Sequence, residues 1–402
     1  MQKIRHAFQM LFLVAVGILT FRHLSGFTKA HCESYCPGGG LESIGFYLKN
    51  GAFLCATSGI NLILFVAILG GTIVMGRAFC SWVCPVGTLM EGLRAAGRQA
   101  GMLWQGFWCT TGGQWLGRLR YPILVAVLYF TYAVTDLVFR PFCLYYVGFS
   151  GQDHEVEWWS KWVMLALSLA SLYLPFVWCK VICPLGASLG VARLLGPVSP
   201  VIDEKDCTAC RLCSRECPQQ INVFEEKRVW STDCTECLVC LDACPTQCLH
   251  LGIGYRPWPA DRPTDGDRPG PSLPRKALPW LVAAMMGAGF LFAFRYPLPT
   301  MSKTFPAFSS GATFARVDLV LTGLRCRGTA NTLAWILEEE PGVAALDAYV
   351  AEGKVRLLYD PARTSPEKLV DRIHAGRLWK NPKTNQEKRL QPFKVESIHP
   401  AP

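Results

Sequence analysis

Cys207-Thr-Ala-Cys210-Arg-Leu-Cys213-Ser-Arg-Glu-Cys217-Pro218 and, after 15 residues, Cys234-Thr-Glu-Cys237-Leu-Val-Cys240-Leu-Asp-Ala-Cys244-Pro245 are two copies of one spacing. Three cysteines at steps of three, wound on a tight turn, aim three thiolates at one iron–sulfur cube. The fourth, held just before a proline, swings away to the neighbouring cube. The expected ligand sets are therefore Cys207, Cys210, Cys213 and Cys244 for one 4Fe–4S cluster, and Cys234, Cys237, Cys240 and Cys217 for the other. A disulfide framework or a pair of zinc sites would also use many cysteines. Zinc motifs, however, rarely run three cysteines at this spacing and then repeat the run before a second proline.

This double run is the signature of a bacterial-type ferredoxin, and residues 199–252 are expected to form that domain. The surrounding chain is different in character. Of 402 residues 51% are hydrophobic and 17% charged, and the mean hydropathy is positive at +0.23, too apolar for a single soluble domain. The net charge of +10 is scattered beside apolar runs rather than gathered in a stripe, so a nucleic-acid partner is not expected. The 19 cysteines fall largely at metal-ligand spacing, which places the ferredoxin segment in a reducing compartment.

Five apolar runs, residues 7–21, 53–75, 121–138, 162–178 and 277–294, approach the ~20 residues that cross a bilayer. The first has the length of a signal-peptide core, but Phe21-Arg-His-Leu-Ser-Gly26 offers no cleavage site, so it is expected to be retained. Arg77, Arg94, Arg98, Arg118 and Arg120 between the second and third runs place that loop inside, whereas Asp153, Glu155 and Glu157 place the next loop outside. The resulting expectation is a multi-domain protein in a bacterial inner membrane. Residues 1–198 form a four-span α-helical bundle, the ferredoxin lies in the cytoplasm, 253–276 is a Pro-rich linker and 277–295 a fifth span in contact with lipid. The tail then lies outside. Trp104, Phe107, Trp108 and Trp115 read as interfacial anchors.

Three cysteine pairs flank the spans: Cys32-x3-Cys36-Pro37, Cys80-x3-Cys84-Pro85 and Cys179-x3-Cys183-Pro184. Arg140-Pro-Phe-Cys143 resembles Arg77-Ala-Phe-Cys80 with the second cysteine replaced, so the order suggests duplication of a two-span unit. On a helix, i and i+4 thiols share one face. Cys80, Cys84, Cys179 and Cys183 are candidates for a third cluster. Cys32, Cys36 and Cys143, with His31 or Cys55, are candidates for an outer cluster or a disulfide. No histidine pair, dinucleotide fingerprint or P-loop points to haem, NAD or ATP.

Gly76-Arg-Ala-Phe-Cys-Ser-Trp-Val-Cys-Pro-Val-Gly87, Cys179-Lys-Val-Ile-Cys-Pro-Leu-Gly186 and the twin ferredoxin motif resemble the membrane polyferredoxins over about residues 1–250. That family includes the quinol-dehydrogenase subunit of periplasmic nitrate reductase systems and the nitrous-oxide-reductase maturation protein. The resemblance implies electron exchange between the quinone pool, or a cytoplasmic donor, and a redox partner such as a cytochrome or reductase subunit. It leaves open whether the chain is itself a quinol dehydrogenase.

Residues 306–380 alternate like a small α+β domain, followed by a tail over 381–402. Gly323-Leu-Arg-Cys326-Arg-Gly-Thr329, with Gly342-Val343 and Tyr359-Asp-Pro361, resembles the heavy-metal-associated domain of copper chaperones, a ferredoxin-like βαββαβ fold. Thr329 stands where that family has its second cysteine, so Cys326 is a candidate for single-thiol metal binding or for no metal at all. This domain supports a rival function, an iron–sulfur reductase or assembly factor in copper handling. Ser310-Gly-Ala-Thr313 matches the core of a covalent-flavin motif, but no flavin-attachment domain surrounds it, and Thr313 is expected to begin a strand rather than carry FMN.

Overall fold

The computed structural model describes residues 1–25, 36–50, 53, 58–134, 137–149, 158–254, 272–274, 276–296, 298–305, 314–324, 327–380, 387–390 and 393–400. His31, Cys32, Cys55, Thr313 and Cys326 lie outside these residues.

The first part of the chain is helical: α1 (Gln2–Leu24), α2 (Pro37–Asn50), α3 (Ser58–Met75), α4 (Ala78–Trp82), α5 (Pro85–Gln99), α6 (Thr111–Arg118), α7 (Arg120–Val134), α8 (Leu144–Phe149), α9 (Trp158–Tyr173) and α10 (Pro184–Arg193). One described stretch, Gln2–Arg22, is long and apolar enough to cross a membrane by length and composition, and Gly59–Met75 and Ala277–Phe292 are apolar but shorter. The fourth expected run does not continue to Trp178. Helix α9 stops at Tyr173, because Pro175 lacks an N–H and excludes the preceding turn. A short π-helical turn, Trp178–Ile182, then carries Cys179.

Helix α2 falls where the sequence reads as a loop. Its Gly-Gly-Gly opening looks like a helix breaker, yet it lets α2 lie directly on α3: a Cβ on Gly40 would come within 2.1 Å of the Asn61 carbonyl oxygen. Trp108 also departs from expectation. It is 6% exposed and donates from Nε1 to the Pro175 carbonyl at 2.8 Å, so it is a core residue, while Trp104 and Trp115 are exposed.

Next come β1 (Val198–Ile202), the short helices α11 (Leu212–Arg215), α12 (Val223–Glu226) and α13 (Val239–Asp242), β2 (Leu249–Ile253) and β3 (Ser272–Leu273). Strands β1 and β2 pair antiparallel, Val198 opposite Ile253, and close the two cysteine loops between them. Strand β3 adds to β2 from inside the expected linker. This segment is not packed as a separate body. Cys213, Leu238, Leu241 and Leu251 share one core with Ile68, Trp82 and Leu189 of the helical part and with Leu278 and Val282.

Helix α14 (Ala277–Arg295) returns along α3, with small residues at the contact: a Cβ on Gly289 would meet that of Ala67 at 2.8 Å. Beyond it lie β4 (Met301–Thr304), β5 (Ala315–Thr322), α15 (Arg327–Leu337), β6 (Val343–Tyr349), β7 (Lys354–Tyr359), α16 (Pro366–Ala375), the hairpin β8 (Arg377–Lys380) and β9 (Glu387–Leu390), and β10 (Lys394–Pro400). The sheet order is β10-β5-β7-β6-β4, around a core of its own. Elements β5-α15-β6-β7-α16-β10 follow a βαββαβ path. The last strand comes from the segment expected to be a tail, and β4 extends the sheet before the expected start at 306.

Candidate metal centres

The two ferredoxin loops are built alike. Among the described residues eight non-glycines have positive φ, and six of them form three matched pairs 27 positions apart: Ala209 with Glu236, Arg211 with Leu238, and Gln220 with Gln247. A left-handed conformation costs a non-glycine residue roughly 1 kcal/mol, and such strain concentrates where geometry is imposed by function. Here it curls each loop so that the thiols turn inward ahead of α11 and α13.

Cys217, Cys234, Cys237 and Cys240 line one small cavity. On the other side, Cys248 Sγ lies 3.4 Å from Cys244 Sγ and is hydrogen-bonded to Cys207 as well, which in turn stands near Cys213. Cys248 was not among the expected ligands. Its place four residues after Cys244 was the available signal.

The CxxxCP pairs share a backbone device. Cys84 and Cys183 both stand in extended conformation, at ψ 118° and 110°, as caps of helices whose first residue is proline. A continuous helix through i and i+4 was expected. Instead the proline forces its predecessor out of the α region and breaks each motif in two. The break points the thiol at a helix amino terminus, where Cys183 Sγ accepts from the Gly186 N–H at 3.2 Å. Gly87 occupies the matching place after Cys84, and a Cβ there would come within 2.1 Å of the Cys80 carbonyl oxygen.

Cys80, Cys84, Cys179 and Cys183 line a single cavity of about 290 Å³, and Cys36 and Cys143 line it too. Cys36 and Cys143 are hydrogen-bonded neighbours. Cys143 precedes α8 in extended conformation (ψ 120°), so it corresponds structurally to the capping Cys84 rather than to Cys80, as the sequence comparison proposed. The quartet supplies four thiols around one cavity, the donor set of a 4Fe–4S cluster, but among the described residues no three such side chains stand close enough to hold a single metal ion.

A set of buried charges joins the quartet to the second ferredoxin loop. Arg77 donates from Nη1 to the Thr232 carbonyl at 2.6 Å and approaches Cys80 Sγ with Nη2 at 3.9 Å. Asp233 pairs with Arg120 at 2.6 Å and Lys180 at 3.3 Å. Burial alone would raise the Asp233 pKa, but Lys180, Arg120 and Arg77 outweigh it and hold the carboxyl well below its ordinary range. Ser81 and Trp82 of α4 donate to the carbonyls of Thr235 and Glu236 at 2.6 and 3.1 Å. These cations read in the sequence as orientation signals. The acid inside Cys234-Thr-Glu-Cys237, against alanine in the first copy, was the one local hint of a partner.

Residues 57–109 and 158–199 match the 4Fe-4S binding domain, and residues 199–245 match the 4Fe-4S dicluster domain. YccM of Escherichia coli (strain K12) is 30% identical over 200 residues, 48% of this chain and 55% of its own length. The ferredoxin-type protein NapH of Haemophilus influenzae is 29% identical over 39% of this chain and 51% of its own. The regulatory protein NosR of Stutzerimonas stutzeri is 23% identical over 42% of this chain and 23% of its own. No solved structure matches the chain significantly. The chain thus joins twin ferredoxin loops to a helical segment that matches a 4Fe–4S binding domain. Over these residues the chain is similar to the membrane polyferredoxin-like proteins among these relatives, and it spans only about half the length of YccM and NapH.

Proposed function

We propose that this chain is a multi-pass membrane protein that passes single electrons between the quinone pool, or a cytoplasmic donor, and a redox partner protein. The observation that carries the reading is Arg77, which touches both the Cys80 thiol and the backbone beside Cys234 and so sets the quartet directly against the second ferredoxin loop. Cys207, Cys210, Cys213 and Cys244 would hold one cluster, Cys217, Cys234, Cys237 and Cys240 a second, and Cys80, Cys84, Cys179 and Cys183 a third. A bound 4Fe–4S cluster supplies reversible one-electron transfer. The chain's own residues supply the ligands, bury them and neutralise charge beside them.

Membrane residence is supported by large apolar side chains exposed on five helices, among them Leu11 and Phe21 of α1, Val66 of α3, Val125 and Tyr129 of α7, Trp162 and Leu169 of α9, and Leu291 of α14. A surface this apolar needs lipid or protein to cover it. The test is anaerobic purification with iron counting and EPR, followed by a short-chain quinol. About twelve irons per chain and quinol-dependent cluster reduction are expected. Eight irons would remove the quartet from the relay, and clusters reduced by dithionite alone would remove the quinone.

A further inference from the structure

The segment from Cys207 to Cys248 carries nine cysteines, one more than two 4Fe–4S clusters take. The ninth, Cys248, is 5% exposed. Its Sγ lies 3.4 Å from Cys244 Sγ and is hydrogen-bonded to Cys207. The backbone that puts it there is shared by both copies of the motif. Gln220 and Gln247 are both left-handed, at φ 52° and 56°, and each is followed by a buried side chain. In the first copy that side chain is Ile221, which lines the cavity of Cys217, Cys234, Cys237 and Cys240. In the second it is Cys248, so a thiol stands where the duplicate has a packing residue. The Asp203 N–H donates to the Cys248 carbonyl at 2.8 Å, tying this residue to the end of β1 just as β2 begins. Cys244, by contrast, is only half-buried and opens the exposed turn Pro245-Thr246-Gln247.

A buried cysteine is commonly just a small apolar side chain. That role accounts for the burial of Cys248 but not for a sulfur set against two other thiols. We propose that Cys248 is a reserve ligand of the first 4Fe–4S site, able to take the iron position assigned to Cys244. Cys207, Cys244 and Cys248 do not form a site for a single metal ion. Four cysteines hold the four irons of such a cluster, so two thiols in contact compete for one position rather than fill two. In the exchange the bond from iron to the Cys244 sulfur breaks and a bond to the Cys248 sulfur forms, while the Cys248 proton passes to Cys244. No electron is gained or lost. The more exposed thiol of the pair can then be alkylated without loss of the site. This inference rests on the reading of the twin loops as a two-cluster ferredoxin, and it adds a ligand that the spacing of the motif does not contain.

The test uses the full chain, purified anaerobically, with iron counting, EPR after dithionite reduction and peptide mapping. Cys244→Ala should keep the iron content of the wild type, with the first cluster's EPR signal changed in shape but present. Cys244→Ala combined with Cys248→Ala should lose that signal and up to about four irons per chain. The signal of the second cluster, present throughout, shows that each variant is folded. A single variant that loses as much as the double overturns the proposal. So does a double variant with wild-type iron, since neither thiol would then be a ligand. A second measurement needs no variant to fold. After brief iodoacetamide treatment of the wild type, the chains that keep both ferredoxin clusters should include a population labelled at Cys244 and not at Cys248. A cluster-holding fraction without that population overturns reserve ligation and leaves the ferredoxin reading in place. A wild type that holds no ferredoxin cluster overturns that reading itself.

Discussion

Arg193 and Glu236 form an ion pair at 2.5 Å in which the side chains are 1% and 0% exposed. Glu236 lies between two cysteines of the second ferredoxin loop, and Arg193 ends the helix that Cys183 caps, so one buried pair pins the two ligand frameworks together. Arg193 also donates to the Val229 carbonyl at 3.1 Å.

Removing one partner of such a pair strands a buried charge and typically costs about 3–5 kcal/mol, whereas replacing both by apolar residues of similar size is often close to neutral. Glu236→Gln alone should therefore lower the unfolding midpoint and loosen the loop around Cys234. Glu236→Leu combined with Arg193→Met should recover most of the loss. Denaturation of the purified protein followed by cluster absorbance checks both. Equal stability of the single and double variants would show that the pair does not hold the junction.

The quartet makes its own prediction. Cys84→Ser or Cys183→Ser should lower iron by about four per chain and leave the EPR signals of the ferredoxin loops in place. Cys213→Ala should do the reverse, removing one ferredoxin signal and sparing the quartet. Wild-type iron and labile sulfide in both serine variants would make these cysteines packing residues.

The two cysteine loops were legible because their motif is local: spacing and proline repeat within each copy, and Cys217 lines the same cavity as Cys234, Cys237 and Cys240. What stayed hidden depends on residues far apart in the chain. Arg120 reads as a loop charge because its partner, Asp233, is more than 100 residues away. Gly40 reads as a breaker because the approach of α3 at Asn61 leaves no local trace. Strand β10 was missed because its segment pairs with β5 across more than 70 residues, Lys394 opposite Thr322.

The C-terminal domain should be acid-sensitive in a defined direction. Burial alone would raise the Asp318 pKa, but Arg356 at 3.0 Å and Lys354 at 2.7 Å pull it below the ordinary value of 3.8. A depressed native pKa contributes stability that is complete above the unfolded value and is lost as pH falls through the native one. Amide exchange in β5 of the intact chain should therefore accelerate below about pH 4. Asp318→Asn should already exchange faster at pH 6 and change less on acidification. An unchanged acid response in that variant would assign the sensitivity to other carboxylates.

The anchoring of α3 and α14 makes a prediction about sidedness. At one end of α3, a Cβ on Gly76 would meet Glu236 Cγ at 2.7 Å; at the other, a Cβ on Gly59 would meet Leu298 Cβ at 3.2 Å. Just before α3, the Phe53 N–H donates to the Thr300 carbonyl at 2.8 Å. Helix α14 runs the opposite way, from Leu278 in the ferredoxin-side core to the start of the C-terminal sheet. The 18 residues of α3 span about 27 Å at 1.5 Å per residue, close to the hydrocarbon thickness of a bilayer. The ferredoxin loops and the C-terminal sheet therefore sit at opposite ends of the same two helices, and a membrane around those helices would separate them. If the arginine-rich loop lies inside, a membrane-impermeant thiol reagent should label Lys303→Cys on β4 in intact spheroplasts. The native Cys109, exposed beside the ferredoxin segment, should react only after lysis. Labelling of both before lysis, or of neither, would place the two domains on the same side and remove the case for electron delivery across the bilayer.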